Sequence, residues 1–532
     1  MKNAASNLPT DIVELHAMIA QMGQDLVVKE AELERAKVGL QFKSLEVEKL
    51  KIQLARLRRM NFGQSSEKLT CEIEQLELQL EDLEGDAPDV EEPAAETSSD
   101  DEGKKKTSSP RRKLPEDLPR DEIVHASHEN CPECGGTLKT VSESVTEVLD
   151  YVPAHFRVIR HVRPARSCRC CETMVQDPMP SLPVQRGLPS PNLLAHVLIS
   201  KYCDHQPLYR QTQIFKREGL ELSRSLMAGW VGKSAELVAP LIEAIAKHVK
   251  SGDHIHTDDT TVPVLKPGNG KTKQARQWVY LRDERPHQGN APPAVFYRYS
   301  PDRKGEHPQA ELADYHGYLH ADGYSGYNKL YQPDETGKTR VQEIACWAHV
   351  RRKTHDVYVA TDSPIAKGGL DLIAHLFEIE RRIKGKTVEI RRQIRQAESV
   401  QVLSQIKTYF ESNLRKIPGK SELAGAMRYA LNRWDALSRY TDNGSCEISN
   451  NAAERAIRPL ALGRKNYLFA GSDRGGERAA AIYTLIESAK LNDLDPKAYL
   501  SKVLDQIADH PINRIQDLLP WNIVFEPDTQ TQ

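Results

Sequence analysis

An apolar residue recurs at every seventh position from Ile12 through Ile19, Leu26, Leu33, Leu40 and Val47 to Leu54. Only a helix lines up positions seven apart, and a strict seven-residue repeat keeps that line facing a partner helix. The companion positions three residues later are Leu15, Met22, Lys29, Ala36, Lys43, Leu50 and Leu57. Both ends are zipper-like, while two lysines weaken the middle and can fix its register. Residues 10–84 are expected to form a leucine-zipper-like coiled coil through which the chain pairs with copies of itself. The alternative is a long amphipathic helix packed on its own protein. Gly63 can break the first helix, Ser65 or Ser66 can cap a second, and Leu69, Ile73, Leu76, Leu80 and Leu83 give the second its own stripe.

Over 85–113 acids (Asp86, Asp89, Glu91, Glu92) give way to Lys104, Lys105, Lys106, Arg111, Arg112 and Lys113. So little apolar surface predicts a disordered charged linker. At 532 residues the chain exceeds what one hydrophobic core organises, so several modules follow. Its 73 Lys and Arg nearly cancel 75 Asp and Glu, so any surface for nucleic acid must come from local segregation of charge. The first ten residues lack the pattern of a secretory signal, and no apolar run nears the ~20 residues that cross a bilayer. A soluble cytoplasmic protein without a membrane partner is expected. Nine cysteines, four of them in two Cys-x-x-Cys pairs, suit a metal site in a reducing compartment rather than disulfides.

The pairs are Cys131 with Cys134, followed by two glycines, and Cys168 with Cys171. A segment of strand-like alternation, Val145 to Val162, separates them, as in a zinc ribbon. Residues 114–185 are expected to be a zinc-ribbon DNA-binding module. Cys131, Cys134, Cys168 and Cys171 would hold one structural Zn²⁺, with Cys170 an alternative to either later ligand. Four thiolates leave no open position for chemistry. Arg157, Arg160 and Arg163 lie in a local basic excess that suits a phosphate backbone. Residues 186–250 read as helical, and the stretch from Pro207 through Gly219 to Ser223 has the form of helix, glycine turn and capped helix. That is either a helix-turn-helix or an ordinary helical hairpin.

Further on, the pattern changes to strands. His254 to Leu265 carries the adjacent acids Asp258 and Asp259, and Trp278 to Leu281 and Ala294 to Tyr299 read as two more strands. A fourth, starting at Gly317, ends on Asp322 before a glycine; a fifth, Glu343 to Trp347, runs into a basic helix. Three strands, a helix and two more strands is the order of a ribonuclease H-like sheet, in which the first and fourth strands bring their terminal acids together. A third acid must then come from a helix. Glu454 fits, because Asn450, Glu454 and Arg458 share one face beside an apolar edge of Ala453, Ile457 and Leu460, with Ser449 or Asn450 as the cap.

These blocks, in this order, resemble transposases of the insertion sequence 66 family: Arg58 to Leu69, the paired cysteines, Asp258-Asp-Thr, Ala321 to Leu330, Cys346 to Arg352, Asn450 to Asn466, Phe469 to Arg478, and Leu518 to Asn522. The resemblance implies a DNA transposase whose DDE triad is Asp258, Asp322 and Glu454. These acids would hold Mg²⁺ or Mn²⁺, with Asp258 bridging two ions, for phosphodiester cleavage and strand transfer. It implies a multidomain α/β chain: a ribonuclease H-like DDE domain over 251–480 with a helical insertion at about 361–441, then a small C-terminal helical region over 481–532. The partners implied are transposon ends, target DNA and small accessory proteins of the same element, in a bacterial cytoplasm and at the nucleoid when bound. Arg455, Arg458, Arg464, Lys465 and Arg478 are candidates for holding the strand. The family usually has Asp-Glu-Thr where this chain has Asp258-Asp259-Thr260. Cys346 and His349 form a Cys-x-x-His pair similar to one found between the second and third acids of several DDE families; it is assigned no catalysis. The competing readings are a ribonuclease H-like nuclease or resolvase that cuts without joining, and an inactive DNA-binding regulator.

Overall fold

The computed structural model describes residues 189–525 apart from 267, 269, 270 and 336, together with 156, 158, 159, 166, 167, 174, 175 and 181–184. The expected coiled coil (10–84), linker (85–113), Cys131, Cys134, Cys168 and Cys171, and Arg157, Arg160 and Arg163 lie outside the described residues. The chain divides into two units, Pro88–His161 and the remainder, and the elements below belong to the second. Among the described residues no helix is long and apolar enough to cross a membrane.

Strands β1 (Arg166–Ser167) and β2 (Met174–Val175) pair antiparallel, flanking Cys168 and Cys171 in sequence. Four helices follow: α1 (Pro191–Tyr202), α2 (Leu208–Arg217), α3 (Arg224–Leu237) and α4 (Ala239–Lys250). Their boundaries are chemical. Pro191 opens α1, where its missing N–H costs nothing, and the Ser190 hydroxyl accepts from the Leu193 amide. Past α2, Gly219 adopts φ +86°, a left-handed turn that a Cβ would strain, and Ser223 caps α3 by accepting from the Leu226 amide at 3.2 Å.

Strands β3 (His254–Val264), β4 (Lys273–Arg282), β5 (Ala294–Ser300), β6 (Gly317–Ala321) and β7 (Val341–Ala345) form one mixed sheet in the order β5-β4-β3-β6-β7. The first three are antiparallel neighbours, whereas β6 pairs parallel with β3 and β7 parallel with β6. A parallel return needs a crossover, and helix α5 (Glu306–Glu311) lies within it. Residues 278–281 in the middle of β4 are all buried, the continuous apolar run of a strand covered on both faces.

After β7 the chain enters helices α6 (Trp347–Thr361), α7 (Pro364–Ile383), α8 (Val388–Ile394), α9 (Val400–Leu414), α10 (Glu422–Leu431) and α11 (Trp434–Ser438). They share a core that includes Trp347, Ile373, Leu376, Ile406, Phe410 and Met427. It then returns through α12 (Asn451–Asn466), α13 (Asp473–Leu491) and α14 (Pro496–Gln506). Helix α13 protects the sheet edge at β5: Thr484 accepts from the Tyr297 amide at 3.0 Å and Ser488 from the Val295 amide at 3.2 Å. Those outward amides are thereby withheld from a foreign strand.

Two arginines sit inside the inserted helices. Arg395, fully buried, bonds both oxygens of Glu380 at 2.8 and 2.6 Å and the carbonyls of Tyr440 and Asn443 at 3.0 and 3.1 Å. Arg391 bonds Glu447 at 2.7 Å. Removing one partner of such a pair strands a buried charge. Arg395→Ala should therefore cost about 3–5 kcal/mol, read as an earlier urea transition. A loss under about 1 kcal/mol would mean that Glu380 finds water instead.

Candidate active site

The register of β3 against β6 assembles the first two acids. His256 lies opposite His320 in the parallel pair, and Asp258 and Asp322 each stand two residues further on. Alternation then puts both on one side of neighbouring strands, which lie about 4.8 Å apart. Asp322 falls just past the end of β6, where Gly323 takes φ +84° and the Tyr324 amide donates to the Asp322 carboxylate at 2.9 Å. A side chain at Gly323 would strike the Arg433 guanidinium, which bonds the Gly323 carbonyl at 2.7 Å.

Helix α12 delivers Glu454, and Asn450 holds α12 to the strand. Asn450 occupies the N-cap position, yet its side chain makes no capping bond. Instead its amide donates to the Thr257 carbonyl at 2.9 Å, and its Oδ1 lies 3.1 Å from His256 Nδ1. The expected cap is thus a clamp between the glutamate helix and the residues beside Asp258. Inside α12, Pro459 lacks the N–H that would bond four residues back. Nearby, the Tyr297 hydroxyl donates to the Ala456 carbonyl at 2.6 Å, tying the helix to β5.

The three acids feel one another. Burial, then the negative charges of Asp322, Glu454 and Asp259, push the Asp258 carboxyl well above the ordinary carboxylate range. Asp259 goes elsewhere: Arg303 bonds its carboxylate at 2.9 to 3.1 Å and Arg276 approaches to 3.2 Å. Arg303 also comes within 3.8 Å of Asp322, so the second carboxylate of the Asp258-Asp259 pair anchors a cation beside the site. Glu454 Oε2 is held by Arg352 at 3.1 Å, while its Oε1 is buried without a hydrogen-bond partner. That oxygen lies 3.6 Å from His349 Nδ1, and the carboxylates of Asp258, Asp322 and Glu454 are oxygen donors of the kind that hard divalent cations select.

Behind the acids lies a group of imidazoles that sequence reading did not single out. His256 and His320 stack at 4.1 Å between ring centres, and His254 stands 5.1 Å from His287. Burial lowers all four, His254 and His287 to about 4, so they pack as neutral rings. The alternation of His254, His256 and Asp258 on one strand face was the available signal.

Residues 186–478, more than half of the chain, match the family described as Transposase IS66 family. The chain belongs to the IS66 transposase family. Residues 128–172, which include Cys131, Cys134, Cys168 and Cys171, match the zinc-finger binding domain of transposase IS66. Residues 49–123 match the element described as Transposase C of IS166 homeodomain, and residues 484–521 match the IS66 C-terminal element. Similar proteins include the uncharacterized protein y4hP of Sinorhizobium fredii, 39% identical and covering 89% of this chain and 88% of its own length. Another from that organism, y4qI, is 37% identical over 98% of each chain.

The family's basic motifs around α12 are not uniformly exposed. Arg455 and Lys465 are at the surface and Arg458 is half-buried. Arg464 donates to the Thr261 carbonyl at 2.7 Å, and the Arg478 guanidinium packs where a side chain on Gly232 would stand. Arg464 and Arg478 both line a cavity of about 300 Å³, with Lys201, Tyr467 and Phe469. Half-buried Asp302 and His307, which pair at 2.8 Å, form a second cluster with exposed Glu306.

Because Asp258 is raised, its ionised form is a cost that sets in as pH climbs through the shifted value and is absent below the ordinary carboxylate range. Asp258→Asn should therefore raise Tm in magnesium-free buffer at about pH 8 by roughly 2–4 °C for each kcal/mol relieved. The gain should vanish as pH falls and the wild-type carboxyl takes up its proton. Paired thermal melts across that range check this, and a variant that melts lower at about pH 8 would show the repulsion to be offset.

Proposed function

We propose that this chain is a DDE transposase that binds the ends of its element and carries out metal-dependent cleavage and strand transfer, with Asp258, Asp322 and Glu454 as the triad. The observation that supports the reading is the parallel register of β3 and β6, beside which the charge of Glu454 on α12 reaches Asp258. The strand order β5-β4-β3-β6-β7, antiparallel first and parallel later, supports a ribonuclease H-like assignment for the sheet. Membership of the IS66 transposase family supports the reaction class.

Divalent cations, Mg²⁺ or Mn²⁺, bound by the three acids would activate the attacking oxygen and stabilise the leaving one. Asp258, Asp322 and Glu454 would be the residues that hold these ions. Arg352 orients Glu454 through Oε2, and Asn450 fixes the distance from the glutamate helix to β3. Arg303, tethered by Asp259, would face the phosphate beside Asp322. Arg455, Arg458, Arg464, Lys465 and Arg478 would contact DNA, as would Arg157, Arg160 and Arg163 of a zinc-bound module. The seven-residue repeat would join copies of the chain so that two ends are handled together.

The test is cleavage and joining of labelled element ends with Mg²⁺, with accessory proteins of the same element supplied. Asp322→Ala and Glu454→Ala should lose cleavage by a factor of at least about 10³, while their salt-dependent DNA binding stays within about threefold of wild type. Cutting without joining by the wild type would replace this reading with a nuclease, and binding without cutting would replace it with a regulator.

A further inference from the structure

Cys346 directly follows β7 and stands at the N-cap position of α6, so the Cys-x-x-His spacing sets its thiol and the His349 ring beside one turn of helix. From the other side α12 brings in Glu454. The ligand atoms of Cys346, His349 and Glu454 all lie within 4.8 Å of one another. His349 Nδ1 and Glu454 Oε1 are 3.6 Å apart. Ligands on a tetrahedral ion, at bonds of about 2.0 to 2.3 Å, stand roughly 3.3 to 3.7 Å from each other.

Both atoms are buried and neither has a hydrogen-bond partner, an unfavourable state that a shared cation would relieve. The other contacts agree with that role. Arg352 takes Glu454 Oε2 and leaves Oε1 facing the cluster. The Asn450 backbone N–H donates to Cys346 Sγ at 3.1 Å, a bond that favours a thiolate.

We propose that Cys346, His349 and Glu454 form a binding site for a borderline-soft divalent cation of the Zn²⁺ or Co²⁺ class. Thiolate, imidazole and carboxylate are the donors such ions select over Mg²⁺, and three protein ligands leave one coordination position open. The site shares Glu454 with the carboxylate cluster but does not depend on that cluster cutting DNA. Binding breaks the S–H bond, forms the metal–sulfur bond and releases one proton to solvent, so affinity rises with pH.

The experiment is a Co²⁺ titration of the full-length protein prepared with one equivalent of Zn²⁺, followed by thiolate-to-cobalt charge-transfer absorption. Released Zn²⁺ is monitored with an indicator. The expected result is a band that saturates at one added equivalent without Zn²⁺ release. Cys346→Ser and His349→Gln, each checked for folding by circular dichroism, should lose the band, with affinity weaker on the order of 100-fold or more. If Cys346→Ser does not fold, His349→Gln decides. No band, a band that tracks Zn²⁺ release, or one that survives in a folded variant overturns the proposal. Cleavage with Mg²⁺ is scored on the same preparations. Cleavage without the band removes this site and leaves the transposase reading intact, whereas the band without cleavage supports the site and counts against that reading alone.

Discussion

The parallel pairing of β3 with β6 is the constraint on which the site rests. Three residue pairs, His254 with Tyr318, Ile255 with Leu319 and His256 with His320, set where each strand's acid emerges. A slip of one residue would turn one acid to the opposite face of the sheet. Packing opposes such a slip, because His256 and His320 stack directly behind the acids and Asn450 bonds both the His256 ring and the Thr257 carbonyl.

The inserted helices sit on this frame without disturbing it because their two ends meet. The Trp347 amide, at the start of α6, donates to the Ile448 carbonyl just before α12 at 3.1 Å. A long excursion closed in that way costs little extra entropy at the site. Its charged interior is coupled to the sheet through Glu447. Burial would push that carboxyl up, but Arg391, bonded at 2.7 Å, holds it below the ordinary range with help from Arg395. The Glu447 amide in turn donates to His320 Nε2 at 3.0 Å, which fixes that nitrogen as an acceptor.

Charge at the site is distributed rather than neutralised. Arg303 and Arg276 answer Asp259, Arg352 answers one oxygen of Glu454, and the charges of Asp322, Glu454 and Asp259 raise Asp258. A carboxylate kept in that state favours whatever cation enters. The carboxylate of Asp259 is taken up by its arginines.

Strand and helix identities, the glycine turn at Gly219, the Ser223 cap and the candidate acids were legible in the sequence, because they follow from periodicity, capping chemistry and spacing along one chain. The family-specific motifs added the pairing of Asp258 and Asp322 with Glu454. Tertiary structure alone decided what those residues touch. Asn450 reads as a helix cap and is a clamp on β3; Arg464 and Arg478, candidates for holding a strand, also bond Thr261 and pack beside Gly232. The Cys346 and His349 pair acquired a third potential ligand from α12. Such contacts join segments far apart in sequence, and local periodicity records which face a residue occupies but not what the fold brings against it.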